Sequence, residues 1–381
     1  KPGFDKQVLD NEKDDVTENA GQTVEENTRS DKGGYWGETA DHAIGESFQF
    51  RLTATLPKSD TIDNYKSYYM AFHDTMSKEL SFESIDKVVV TYTDANGQKQ
   101  TKVITNYTDT TAALTETPDA EQKWSLEIMD LKAELNGGSL SEAQVDVIYN
   151  AHLNENAAIS VDEKGNDDNQ NNARLEYGNN PTWESNGKDK PDDTEETPDD
   201  TVFVFTYDVK NFKTKEDGTT PLAKAKFSVF TKDNDKTPIN LIHVGEKDGY
   251  DTYRLAKAGE TGVVTEIETS DSGKFRVIGL DAGAYVLKET FAPAGYVAAE
   301  DMDIEITTEH KENEDKETAE LAKFTRTLNG EAFDENKIIN EKGSKLPETG
   351  GMGTMLFYLL GGTMALGASG TLVFRKRISR K

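Results

Sequence analysis

Residues 202–212, VFVFTYDVKNF, put Phe203, Phe205, Tyr207 and Val209 on one side of an extended chain and Thr206, Asp208 and Lys210 on the other. Alternation at period two argues a half-buried strand, not a helix. The pattern recurs downstream in AKFSVF, KFRVIGL, YVLKET and KIIN, short runs separated by Gly, Asp and Pro. Upstream, Phe48, Phe50, Leu52, Ala54 and Leu56 alternate with polar residues until Pro57, and Val145, Val147, Tyr149, Ala151 and Leu153 do the same. Asn96-Gly97, between KVVVTYTD and QKQTKVIT, marks a hairpin. The spacing in WSLEIMDLKAEL predicts a helix over 124–135, ended by Gly137-Gly138. The fold class is therefore all-β: two β-sandwich domains in tandem, over 1–180 and 202–342. Residues 181–201, acidic and proline-punctuated without apolar periodicity, read as an exposed linker.

The 381 residues carry 43 Lys and Arg against 71 Asp and Glu, a net charge of −28. A phosphate-binding surface needs clustered cations, so nucleic acid is not an expected partner. With no cysteine, disulfides, thiolate metal sites and thiol nucleophiles are excluded. His42, His73, His152, His243 and His310 are scattered without metal-ligand spacing, and no cofactor or metal is expected. Asp233-Asn234-Asp235 and the acidic run 162–172 lack EF-hand spacing. No nucleophile elbow, phosphate loop or distinctive carboxylate pair is present, so the chain does not read as an enzyme. It opens on Lys1 without Met or signal peptide, which reads as processing or trimming upstream.

The C-terminal segment, 343–381, carries Leu346-Pro347-Glu348-Thr349-Gly350, the uncharged run 351–374, and RKRISRK. The run is long enough to cross a hydrocarbon core of about 30 Å, with the basic tail held on the cytoplasmic side. Read alone, that is a membrane helix. With LPETG directly before it, it resembles the cell-wall sorting signal of Gram-positive surface proteins. The helix and tail stall the chain, and the Leu-Pro segment, kept out of helix by Pro347, is presented to a membrane-bound transpeptidase. The resemblance implies cleavage between Thr349 and Gly350, transient membrane anchoring and a final place at the cell wall.

PLAKAKFSVF followed by SGKFRVIGLDAGAYVLKETFAPAGY resembles the collagen-adhesin B-type immunoglobulin-like domain of sortase-assembled pilins, which implies that the two sandwiches are immunoglobulin-like. IGESFQFRLTATLP, YYMAFHDTMSKELSF and NNARLEYGNNP in the first block are similar to the other isopeptide-forming domain of fimbrial shaft subunits. The stretch over residues 10–40 is longer than that pattern expects. Such domains form an intramolecular Lys–Asn amide assisted by a carboxyl group. Burial favours a neutral, nucleophilic lysine and a protonated acid, and the acid can polarise the Asn carboxamide and shuttle protons.

Strand parity tests the candidates that this resemblance implies. Lys6 shares a side with Phe4 and Val8, Asp74 with Tyr68, Met70 and Phe72, and Asn171 with Ala173, Leu175 and Tyr177, whereas Asn172 falls with Arg174 and Glu176. In the second block Lys213 continues the Phe203–Val209 side, opposite Lys210, Glu289 falls with Tyr285 and Leu287, and Asn340 falls with Ile338. The family pattern places the lysine just before an acidic turn, here KTKEDG, and the acid in KET-x-AP-x-GY. The expected crosslinks are thus Lys6–Asn171 with Asp74, and Lys213–Asn340 with Glu289.

These readings imply a pilus shaft subunit, with a sortase, other pilin subunits and a peptidoglycan cross-bridge as partners and a host surface ligand as a further one. The alternative is a wall-anchored adhesin acting as a single chain; a third reading is a surface hydrolase. A polymerisation lysine in a YPK-like motif would discriminate shaft from adhesin. The nearest match, Leu56-Pro57-Lys58, ends a strand, and Lys1-Pro2 resembles the junction after a preceding domain that would carry the motif.

Overall fold

The computed structural model describes residues 1–11, 33–164, 168–314 and 317–343. The stretch 12–32, the LPETG segment and the run 351–374 with its basic tail lie outside the described residues. Among the described residues nearly all regular structure is strand, in four sheets that pack as two sandwiches.

In the first sandwich one sheet orders Tyr35–Gly37, Gly3–Asp10, Ser47–Thr55, Ser139–Leu153, Leu80–Thr93 and Lys99–Val103. The other orders Thr39–Asp41, Asp200–Phe205, Gln170–Gly178, Met70–Met76, Gln122–Ile128 and Thr108–Asp109. Between them lies one core that includes Phe50, Leu52, Val147, Phe72, Leu126 and Leu175. The Asn96-Gly97 hairpin forms as expected: Gly97 takes φ 78°, and Asp94 N donates to Gln98 O at 2.8 Å.

In the second sandwich one sheet runs Leu241–Lys247, Tyr250–Leu255, Lys274–Leu280, Tyr207–Thr214, Glu335–Ile339. The other runs Ile267–Glu268, Lys226–Thr231, Gly283–Phe291, Met302–Glu312, Ala319–Leu328, Glu331–Ala332. The strands Tyr207–Thr214 and Glu335–Ile339 are parallel neighbours, with Lys213 opposite Ile338.

Two local expectations fail. Over 124–135 the chain forms the strand Gln122–Ile128, with Trp124, Leu126 and Ile128 buried at period two, and only then the short helix Leu131–Glu134. Asp130 caps that helix by accepting from Ala133 N, and Asn136 and Gly137 at φ 50° and 83° stop it. The second is the acidic linker. Residues 194–196 pair with Gln170–Gly178, and Asp200–Phe205 pairs with both Gln170–Gly178 and Thr39–Asp41. Side chains stitch the rest down: Lys190 pairs with Glu176 at 2.7 Å, and Tyr177 donates to Glu195 at 2.7 Å. Composition cannot reveal such ties, because the acids still face outward.

Strand Asp200–Phe205 serves both cores. Val202 and Val204 enter the first, Phe203 and Phe205 the second. Beside it, His42 N donates to Phe205 O and Ile44 N to Gly279 O, both at 3.0 Å, and Ser160 N donates to Thr206 O at 2.8 Å. The two sandwiches therefore share a hydrogen-bonded junction.

Candidate functional site

The structure buries all six candidate side chains. Glu289, the least buried, is 8% exposed. In the first domain Lys6 projects from Gly3–Asp10 into the space between the sheets and meets residues of the opposite sheet. Lys6 Nζ donates to Asp74 Oδ2 at 2.5 Å. Asp74 and Ala173 are cross-strand partners on adjacent strands, which brings Asn171 to the same face. The ammonium also lies 5.3 Å from the Phe50 ring centre.

Tyr149, read in the sequence only as one apolar member of a strand, is the hub of this cluster. Its hydroxyl donates to Asp74 Oδ2 at 2.8 Å and accepts from Lys6 Nζ at 3.2 Å and Asn171 Nδ2 at 2.6 Å. Asp74 Oδ1 and Asn171 Oδ1 are left buried without hydrogen-bond partners. Tyr149 packs edge-on against Trp124, ring centres 5.0 Å apart, which fixes the hydroxyl's direction. Burial lowers the Lys6 pKa and raises that of Asp74, each opposed in part by the other's charge. Both groups are pushed toward their neutral forms.

The second cluster has a different layout. Here lysine and asparagine come from parallel neighbours in one sheet, and the acid reaches across from the other. Lys213 Nζ donates to Ile338 O at 3.1 Å and Thr214 O at 3.2 Å. Asn340 N donates to Thr214 O at 3.1 Å, which registers its side chain beside the lysine. Asn340 Nδ2 donates to Glu289 Oε1 at 2.7 Å, and Asn340 Oδ1 is buried without a partner. Burial lowers the Lys213 pKa to about 8, with Glu289 opposing. Lys210 lies on the other side of the strand, half-buried over the Tyr250 ring.

The residues after Glu289 explain the KETFAPAGY pattern. The chain turns at Pro293, where Tyr296 N donates back to Pro293 O, and returns so that Ala299 N donates to Glu289 Oε2 at 2.7 Å. Val297 N donates to Glu341 O and Gly343 N to Gly295 O, so this loop closes over the end of the Glu335–Ile339 strand. Behind the lysine, Gly273 at φ 67° donates no bulk: a Cβ there would collide with the Lys213 carbonyl oxygen.

Residues 207–320 match the SpaA family, described as a prealbumin-like fold domain, and residues 339–379 match the LPXTG cell wall anchor motif. The first match contains Lys213 and Glu289, the second Asn340 and LPETG. The chain is thus a β-sandwich surface protein with a cell-wall anchor. It resembles sortase-assembled Gram-positive pilin subunits in its SpaA-type domain and in its anchor. No curated protein matches it. Among solved structures it is similar to a 35 kDa C-terminal fragment of a major pilin of Streptococcus agalactiae, at 18% identity and TM-score 0.48, covering 80% of this chain and 90% of the fragment. The T6 backbone pilin of Streptococcus pyogenes is similar at 15% identity and TM-score 0.47, covering 90% of this chain and 70% of that one. The pilus backbone of Streptococcus pneumoniae is similar at 15% and 0.47, covering 90% and 100%.

Proposed function

We propose that this chain is a structural subunit of a sortase-polymerised, wall-anchored pilus, each of whose two domains is closed by a self-formed Lys–Asn amide. The observation that carries the reading is the repetition: in both domains a buried lysine, a buried carboxyl group and a buried asparagine sit side by side with the amide oxygen unpartnered. An unpartnered buried carbonyl costs about 1–3 kcal/mol, so stability alone does not explain two such arrangements.

The chemistry runs as follows. A proton passes from the lysine ammonium to the carboxylate, leaving a neutral amine and a neutral acid, the forms that burial favours. Rotation of the Asn side-chain amide sets its oxygen against the acid, which donates a hydrogen bond and polarises the carbonyl. Lysine Nζ attacks the Asn carbonyl carbon, the acid gives its proton to the Asn nitrogen, the resulting carboxylate takes one proton from Nζ, and ammonia leaves. One C–N bond forms and one breaks. Each amide forms once, so there is no turnover.

The first amide would tie one sheet to the other, and the second would tie parallel neighbours within a sheet. Tension along the chain would bypass the residues between Lys6 and Asn171 and between Lys213 and Asn340. A surface protein without cysteine gains in this way what disulfides supply elsewhere. Polymerisation and wall attachment would use a sortase, other subunits and a peptidoglycan cross-bridge amine. Intact-mass measurement of the folded chain tests the proposal. Two ammonia equivalents should be missing; a mass equal to that of the unmodified sequence would reject it.

A further inference from the structure

We propose that His42, Glu46 and Asp281 form a divalent-cation site that locks the junction between the two sandwiches. His42 and Glu46 lie on the segment between Thr39–Asp41 and Ser47–Thr55 of the first domain. Asp281 lies on the turn between Lys274–Leu280 and Gly283–Phe291 of the second. One ligand atom from each of the three lies within 4.8 Å of the others.

The tautomer of His42 is the independent sign. The ring is fully buried and stacked on Phe48, centroids 4.1 Å apart. Its Nε2 is 2.7 Å from Leu9 O. A carbonyl oxygen can only accept, so Nε2 carries an N–H, and whenever the ring is neutral its lone pair lies on Nδ1. That Nδ1 has no hydrogen-bond partner and faces Glu46 Oε2 at 3.8 Å. A backbone carbonyl fixing one ring nitrogen while the other points at carboxylates is the usual support of a metal-binding histidine.

The carboxylates are held in place as well. Glu46 Oε1 accepts from Asn11 Nδ2 at 2.9 Å, and Asp281 Oδ1 accepts from Ala282 N at 2.9 Å. Two carboxylates brought this close beside a buried ring nitrogen need a proton or a cation between them. Imidazole nitrogen with carboxylate oxygens suits Zn²⁺ or Mn²⁺; Ca²⁺ prefers an all-oxygen shell. Ligands drawn from both domains would make the ion a clamp on the joint.

The test is titration of the full chain, stripped with chelator, with ZnCl₂ and separately MnCl₂, followed by calorimetry and bound-metal stoichiometry. One equivalent of either ion should bind, and binding should raise the melting temperature. His42→Gln and Asp281→Asn should each lose that equivalent while circular dichroism stays that of the parent; His73→Gln, at the separate cluster with Glu176 and Glu196, should keep it. Should His42→Gln fail to fold, the near-isosteric Asp281→Asn decides alone. Absence of stoichiometric binding, or binding that survives Asp281→Asn, overturns the proposal and leaves a proton as the occupant.

Discussion

Lys6 Nζ and Asp74 Oδ2 lie 2.5 Å apart in a core where neither side chain is exposed to water. A buried ion pair is a weak source of stability, because desolvation of both charges offsets most of their attraction. The same geometry is productive if the pair exists to exchange a proton. Asp74→Asn removes the proton acceptor with little change of shape. We expect it to retain one ammonia equivalent by intact mass while the second domain still loses one, and Glu289→Gln should give the reverse. Loss of both equivalents in Asp74→Asn would remove the acid from the first reaction.

Tyr149 separates positioning from proton transfer. Its hydroxyl touches Lys6, Asp74 and Asn171 but has no bond to make or break. Tyr149→Phe removes one buried hydrogen-bonding group, an effect of about 1–2 kcal/mol. If that appears in the barrier, amide formation in the first domain slows on the order of tenfold. Time-resolved mass measurement after refolding should show delayed loss of one ammonia equivalent but eventual completion. A normal rate would make Tyr149 a packing residue.

Lys213 gives a pH dependence whose sign is fixed. In Asn340→Ala no amide can form and the lysine stays titratable. Its pKa is near 8 in the fold, where burial disfavours the charge, against 10.5 as the ordinary value. Between those limits the unfolded chain binds more protons, so stability rises with pH, by up to about 1.4 kcal/mol per unit. Denaturant titrations of Asn340→Ala from pH 8 to 10 should show this rise relative to Asn340→Ala/Lys213→Met, in which the titrating group is gone. Parallel profiles for the two variants would mean that the amine is solvated.

Resistance to unfolding distinguishes the two lysines of that strand. Lys213→Met keeps the volume and loses the amide, which by analogy with a disulfide lowers stability by about 2–4 kcal/mol. The domain should then open often enough for trypsin to cut its many lysines. Lys210→Met, on the opposite side over Tyr250, should stay resistant. Sensitivity in Lys210→Met but not in Lys213→Met would place the crosslink on the wrong side of the strand.

How much of this was legible in the sequence depends on how local the determinant is. The burial of Lys213 and Asn340 follows from parity alone, because residues two apart share a side and Val209 and Ile338 face the core. Parity fails at Glu176, which alternates with the apolar set yet is buried, because the segment bearing Lys190 folds back over it. Tyr149 was hidden by its own pattern: Val147 and Ala151 on the same side give no hint that its hydroxyl joins three polar groups. His42 and Asp281 meet only through the domain junction, so no spacing in the chain could pair them. Residues 202–212 read as one strand of the second domain, but the chain divides them at Thr206 into Asp200–Phe205, paired in the first sandwich, and Tyr207–Thr214, paired in the second. Unbroken alternation gives no sign of such a break.

The anchor lies outside the described residues. A sortase cysteine should attack the Thr349 carbonyl, break the Thr349–Gly350 bond and hold the chain as a thioester until an amine resolves it. On this reading Thr349 would be substrate, and the chain would contribute no catalytic group to the step. Residues 350–381 should be missing from the mature protein, and the run 351–374 would serve only as a temporary stop in the membrane. Enzymes that degrade the wall should release the protein with Thr349 as its last backbone residue, whereas detergent alone should not. A permanent membrane helix makes the opposite forecast, release by detergent with 351–374 intact. Recovery of peptides from that run in mature surface protein would reject sorting at this bond.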